Sequence, residues 1–431
     1  MMATNPGETR NPWTWVPSLY FAEGIPYVVA MTVSVIMYKR LGVSNADIAL
    51  STSWLYLPWV IKPLWSPLVD MFGTKRSWIV ALELVIGVCL AGVAFVLHGP
   101  MFFQLTLFVF WLMAFGSATH DIAADGFYML GLDHHQQAAF VGVRGTFFKV
   151  ATITGQGLLV MLAGTLEAST GGAIPLAWSI AFGALSVLFL CLFLYHRSRL
   201  PSPGADHPSG AAVSGRGAAQ EFLAILKAFF SKGDILAILA FLLLYRFAEA
   251  QLVKLVSPFL LDPRDQGGLG LSTSEVGFVY GTVGIIALTC GGLLGGYVAS
   301  KEGLRFWLWP MVAAIHLPDL VFVYLSHVQP ASLFLINAAV AVEQFGYGFG
   351  FTAYVLFMIL VSEGEHRTAH YAICTGFMAL GMMLPGMFSG VLQEWLGYRA
   401  FFFWVILSTI PGFAVAALVR VPPEFGRKHV P

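Results

Sequence analysis

Phe115-Gly116-Ser117-Ala118-Thr119-His120-Asp121-Ile122-Ala123-Ala124-Asp125-Gly126 puts two carboxylates four positions apart inside an apolar run over about 101–130. The run is long enough to cross a bilayer, which takes about 20 mostly apolar residues. On a helix, positions i and i+4 share a face. An ionisable group at membrane depth is costly unless it is paired or lies in a wet cavity. Asp121 and Asp125 are therefore expected to face the interior of a helix bundle and to need partners.

The composition agrees. Hydrophobic residues are 58% of 431 and charged residues 11%, against about 25% charged in soluble domains. This is the signature of an all-α polytopic membrane protein. The formal net charge is zero, so nothing points to nucleic acid. Cys89, Cys191, Cys290 and Cys374 stand singly in apolar runs, without metal or disulfide spacing. No metal, cofactor or catalytic residue is expected. The first ten residues are polar and lead into a full span, so no cleavable signal peptide is expected.

Twelve apolar runs qualify as spans, near 13–38, 49–69, 77–97, 101–130, 137–163, 174–195, 235–261, 273–299, 304–326, 331–361, 368–391 and 398–420. A Pro/Gly/Ser-rich tract separates the sixth from the seventh and has linker composition. A short surface helix is expected in 221–230. The expected organisation is a six-helix bundle over 1–196, a cytoplasmic linker over 197–233 and a second six-helix bundle over 234–431. With the N-terminus inside, fourteen Lys and Arg fall in cytoplasmic segments and four in outer loops. The positive-inside rule therefore puts both termini in the cytoplasm.

The halves repeat. Leu41-Gly42-Val43-Ser44-Asn45-Ala46-Asp47 returns 228 positions later as Leu269-Gly270-Leu271-Ser272-Thr273-Ser274-Glu275. Each copy carries Ser-x-x-Asp/Glu, a capping-box-like helix start. Phe21-Ala22-Glu23 in the first span returns as Phe247-Ala248-Glu249 in the seventh. Six spans separate the copies, so the two halves share one orientation. Such parallel repeats describe the halves of major-facilitator transporters.

Pro67-Leu68-Val69-Asp70-Met71-Phe72-Gly73-Thr74-Lys75-Arg76, between the second and third spans, resembles the loop motif of that superfamily. Ser66 and Met71 depart from the motif. Lys62-Pro63-Leu64-Trp65-Ser66-Pro67-Leu68-Val69-Asp70, the stretch from Ser117 to Gly126, and Gly142-Val143-Arg144-Gly145 resemble the AmpG muropeptide permeases and the related acetyl-coenzyme A transporters. His120 stands where those families commonly have Gln. The resemblance implies a twelve-helix major-facilitator fold. It also implies proton-driven symport of a muropeptide or another amino-sugar solute across the bacterial inner membrane. The partners would be a small-molecule solute, H⁺ as coupling ion and the lipid bilayer.

Several charge groups are candidates for that work. Lys62, Asp121, Asp125 and Arg144 fall at similar depth in spans two, four and five. They form either a gate or strut, or a proton or substrate site. Asp70, Lys75 and Arg76 join them as loop-motif charges. In the implied fold, spans one, four, seven and ten line the cavity, so Glu23, Arg246 and Glu249 are candidates for a central site. The other reading is a sealing Glu23–Arg246 pair. Glu343 precedes the Gly- and aromatic-rich stretch Gln344-Phe345-Gly346-Tyr347-Gly348-Phe349-Gly350-Phe351. That stretch either makes room for cargo or packs a neighbouring helix. Glu83, and His316 with Asp319 as a local i, i+3 pair, read as structural. Lys149 and Lys254 lie near span positions from which a side chain can snorkel, and no functional role is read into them.

Other function classes fit less well. The sequence lacks a Gly-x-x-x-x-Gly-Lys-Ser/Thr loop, which argues against a nucleotide-driven pump. A carrier of acyl-coenzyme A or another anionic metabolite would need more cavity cations. A membrane-embedded transferase using His120-Asp121 would need a large loop to hold its donor.

Overall fold

The computed structural model describes residues 10–207, 215–364 and 366–426. Every regular element among them is helical. Ten helices are long and apolar enough to cross a membrane. Two places separate ten from the expected twelve. The run over 49–69 is divided at Leu55-Tyr56 into Asn45–Trp54 and Leu57–Met71, each too short to count alone. The last two runs join as Arg367–Leu418, with a sharp change of direction at Gly397, φ 71°, a conformation that glycine adopts without a Cβ penalty. The expected short helix is present as Gly215–Phe230.

Both copies of the repeated helix start are capped as their sequences demand. The Ser44 hydroxyl accepts from the Asp47 N–H at 3.0 Å. The Ser272 hydroxyl accepts from the Glu275 N–H at 3.3 Å, and the Glu275 carboxylate accepts from the Ser272 N–H at 2.8 Å. These bonds occupy amides that have no partner inside the helix.

By its contacts the chain forms two units, Met1–Val33 with Ile61–Gln220, and Ser34–Val60 with Glu221–Pro431. In the first unit, Trp15 packs edge-to-face on Phe127 at 5.2 Å in a buried cluster with Leu19, Tyr20 and Ile79. Asp206 closes the N-terminus of the helix Lys75–Val96. Its two carboxylate oxygens accept the Lys75 and Arg76 N–H groups at 2.7 and 3.0 Å. An acid at that end also complements the helix dipole. The segment after the helix that ends at Arg199 is therefore tied down at this residue.

The second unit packs helices through glycine. Gly348 on Leu333–Ser362 lies against the Leu288 carbonyl, and Gly346 and Gly350 lie against the carbonyls of Ala314 and Met311. A Cβ at any of the three would overlap those oxygens. The glycines of this stretch thus serve helix packing on two sides. Near Asn45, Lys39 pairs with Asp262 at 2.7 Å and donates to the Asn45 side chain at 2.9 Å. Tyr398 donates to the other Asp262 oxygen at 2.6 Å.

Candidate functional site

In the first unit, Glu23 comes from the helix Val16–Val28, and Asp121 and Asp125 come from Phe102–Gly131. One carboxylate oxygen from each lies within 4.8 Å of the others. Two bases answer the three acids. The Lys62 ammonium donates to Asp121, and the Arg144 guanidinium donates to Asp125. Arg144 also lies over the rings of Tyr20 and Tyr128, 4.4 and 4.7 Å from their centroids. Such stacking holds a cation in place at membrane depth. The expected four-charge network is therefore assembled, and Glu23 joins it. Glu23 Oε2 is buried without a hydrogen-bond partner.

The backbone helps place Glu23. Pro26 lies inside its helix, and a π-helical segment, Val29–Val33, follows. Proline removes a backbone donor, and π segments recur at functional sites.

In the second unit, the seventh span is broken at Tyr245-Arg246, and Phe247–Leu261 starts anew after it. Arg246 occupies the cap position and Glu249 the first turn. Glu249, Asp319 and Glu343 bring carboxylate oxygens within 4.8 Å of one another, and all three are buried. Gln344 donates its amide to both Glu343 oxygens, at 3.0 and 3.3 Å. The Arg246 guanidinium donates to the Tyr347 hydroxyl and lies 4.8 Å from the centroid of Phe351.

The expected local His316–Asp319 pair does not form. Both nitrogens of His316 and both oxygens of Asp319 lack hydrogen-bond partners among the described residues. A 3-10 turn over Leu317–Asp319 interrupts this span at Pro318 and carries the Asp319 carboxylate to Glu249 and Glu343. Asp319, expected to be a structural residue paired with His316, joins this acidic cluster instead. An acid just after a mid-span proline was the available signal, since broken helices at membrane depth mark cavities or sites.

Lys75 and Arg76 hold the Asp206 carboxylate through their backbone. The Arg76 guanidinium donates to the carbonyl of Arg197 at 2.6 Å. The Asp70 side chain lies outside the described residues, as do Arg427 and Lys428. Glu83 is fully buried, with His196 Nδ1 2.5 Å from its carboxylate and His120 Nε2 at 3.7 Å. Lys254 does not snorkel: it is 1% exposed.

Comparison with known proteins supplies the family. The sequence pattern of the Major Facilitator Superfamily matches residues 18–363. An anhydromuropeptide permease of Escherichia coli K12 is 24% identical over 95% of this chain and 80% of its own length. A putative transporter AmpG 4 of Rickettsia conorii is 24% identical over 92% of this chain and 94% of its own. Among solved structures, the D-xylose–proton symporter superposes with a TM-score of 0.69 at 14% identity, covering 96% of this chain and 98% of that one. The nucleoside transporter NupG superposes at 0.65 and 16% identity, covering 95% and 99%. At such identities these structures speak for the fold alone. A helical chain with polar clusters at membrane depth, matched to one family pattern over most of its length, is a transporter and not an enzyme: it belongs to the major facilitator superfamily.

Proposed function

We propose that the chain is a proton symporter that imports a muropeptide or related amino-sugar solute across the bacterial inner membrane, with both termini in the cytoplasm. One observation carries the coupling. Glu23 shares a cluster with two other acids, and the two available bases are already bound to Asp121 and Asp125. Three carboxylates this close cannot all be charged with only two cations beside them, because like charges oppose each other strongly away from bulk water. The cluster is balanced when one proton is bound. Glu23, which among the described residues has no cation of its own, is the position for it. Arriving and leaving protons then change the net charge at the cluster. Lys62–Asp121 and Arg144–Asp125 serve as the pairs that this change loosens or tightens.

The cargo rests on the similarity to an anhydromuropeptide permease over 95% of the chain. A coenzyme A ester fits less well. It carries several phosphates, and Lys62 and Arg144 are already engaged by carboxylates. The test is uptake of radiolabelled GlcNAc-anhydroMurNAc into cells lacking their own permease, with and without a protonophore. The expected result is accumulation that the protonophore abolishes. Absence of uptake, with the protein present in the membrane, discards the cargo. Accumulation insensitive to the protonophore discards the coupling.

A further inference from the structure

Lys254 is a buried amine with no acid paired to it among the described residues. It is 1% exposed. Its ammonium donates to the Thr52 hydroxyl at 2.9 Å and lies 5.3 Å from the centroid of the Tyr56 ring. Among the described residues, no carboxylate pairs with it. Glu249, on the same helix, belongs to the acidic cluster with Asp319 and Glu343.

An ammonium has three donors, and the hydroxyl of Thr52 takes one. A lone charge away from water is costly, and a position in a membrane protein that keeps one is expected to use it. The surroundings are polar in the same unsatisfied way. Ser53 Oγ and Ser257 Oγ are buried and have no hydrogen-bond partner among the described residues. Ser257 is three positions after Lys254, on the same helix face. Gly386 brings Ser53 and Lys254 together. A Cβ there would lie 2.9 Å from Ser53 Oγ and 3.5 Å from Lys254 Cγ. Three helices thus converge on one amine that, among the described residues, has no carboxylate partner and on two hydroxyls without a hydrogen-bond partner.

We infer that Lys254 is a cargo-binding residue that receives a carboxylate of the transported solute, with the hydroxyls of Thr52, Ser53 and Ser257 as its hydrogen-bonding surround. Arg246 differs from it, because its guanidinium already has the Tyr347 hydroxyl and two rings. Lys254 would therefore discriminate acids from their neutral analogues. The assignment rests on the amino-sugar reading for its natural ligand, since muramic acid carries one lactyl carboxylate.

The test uses the purified full chain and two probes, GlcNAc-anhydroMurNAc and its carboxamide, which differ only at that carboxylate. Binding is measured for the wild type, Lys254→Met and Lys254→Arg. The wild type is expected to bind the acid at least tenfold more tightly than the amide. Lys254→Met is expected to bind both at the amide's affinity, and Lys254→Arg to keep the preference. Retention of the acid preference by Lys254→Met overturns the assignment while leaving the muropeptide reading intact. A wild type that binds both probes equally well does the same. A wild type that binds neither probe overturns both.

Discussion

The ammonium of Lys62 holds the carboxylate of Asp121 across 59 positions of sequence, and neither side chain is more than 25% exposed. The pair fixes the helix Leu57–Met71 to the helix Phe102–Gly131 at the acidic cluster. Removing one partner leaves the other charge uncompensated in a poorly hydrated place. Lys62→Met and Asp121→Asn are each expected to lower the thermal midpoint of the purified protein. The double variant should recover part of the loss, with a coupling of about 1 kcal/mol after allowing for partial exposure. Strict additivity in the four midpoints would show that the pair contributes no interaction.

Asp125 is expected to matter to transport and not to folding. Arg144 is stacked between two tyrosine rings and stays in place when its acid is neutralised. Asp125→Asn should cut uptake at least tenfold, ~1.4 kcal/mol of barrier, at unchanged protein level in the membrane. Normal uptake by that variant removes Asp125 from the mechanism.

The glycines of the tenth span make a stability prediction. A side chain at Gly348 would overlap the Leu288 carbonyl of the neighbouring helix. Gly348→Val should destabilise by roughly 2 kcal/mol or more through overpacking, seen as a lower thermal midpoint and lower yield. A midpoint equal to that of the wild type would show that the two helices can part without cost.

Glu83 is fully buried and bonded to His196, with the imidazole of His120 3.7 Å away on another span. Glu83→Ala removes the acceptor at the centre and strands His196, which otherwise bridges Glu83 and the Ser18 hydroxyl at 2.8 Å. The expected cost is about 3 kcal/mol, with solute binding by the surviving folded fraction unchanged. Lost binding at a normal thermal midpoint would reassign Glu83 from support to transport.

The helical architecture was legible because apolar length is a property of the sequence alone. The repeat was legible too, and it proved informative beyond topology: both Phe-Ala-Glu copies end in a glutamate that sits among two further acids. Partners within the first cluster were legible because Asp121 and Asp125 share a helix face and Lys62 and Arg144 stand at similar depth. What escaped was anything set by a broken helix. The turn at Pro318 redirects Asp319 away from His316, and no periodicity argument spans such a turn. Lys254 escaped for a different reason. A lysine in an apolar run reads as a side chain reaching for the interface, and only the packing around Gly386 shows it enclosed.

Proton movement with cargo is the most direct test of Glu23 as the coupling group. Purified protein would be reconstituted into liposomes containing a pH-sensitive dye, and GlcNAc-anhydroMurNAc added outside. The wild type is predicted to acidify the lumen as cargo enters, and Glu23→Gln to carry no protons against or along a gradient while still binding the solute. Cargo entry without acidification in the wild type, or acidification that persists in Glu23→Gln, would contradict the assignment.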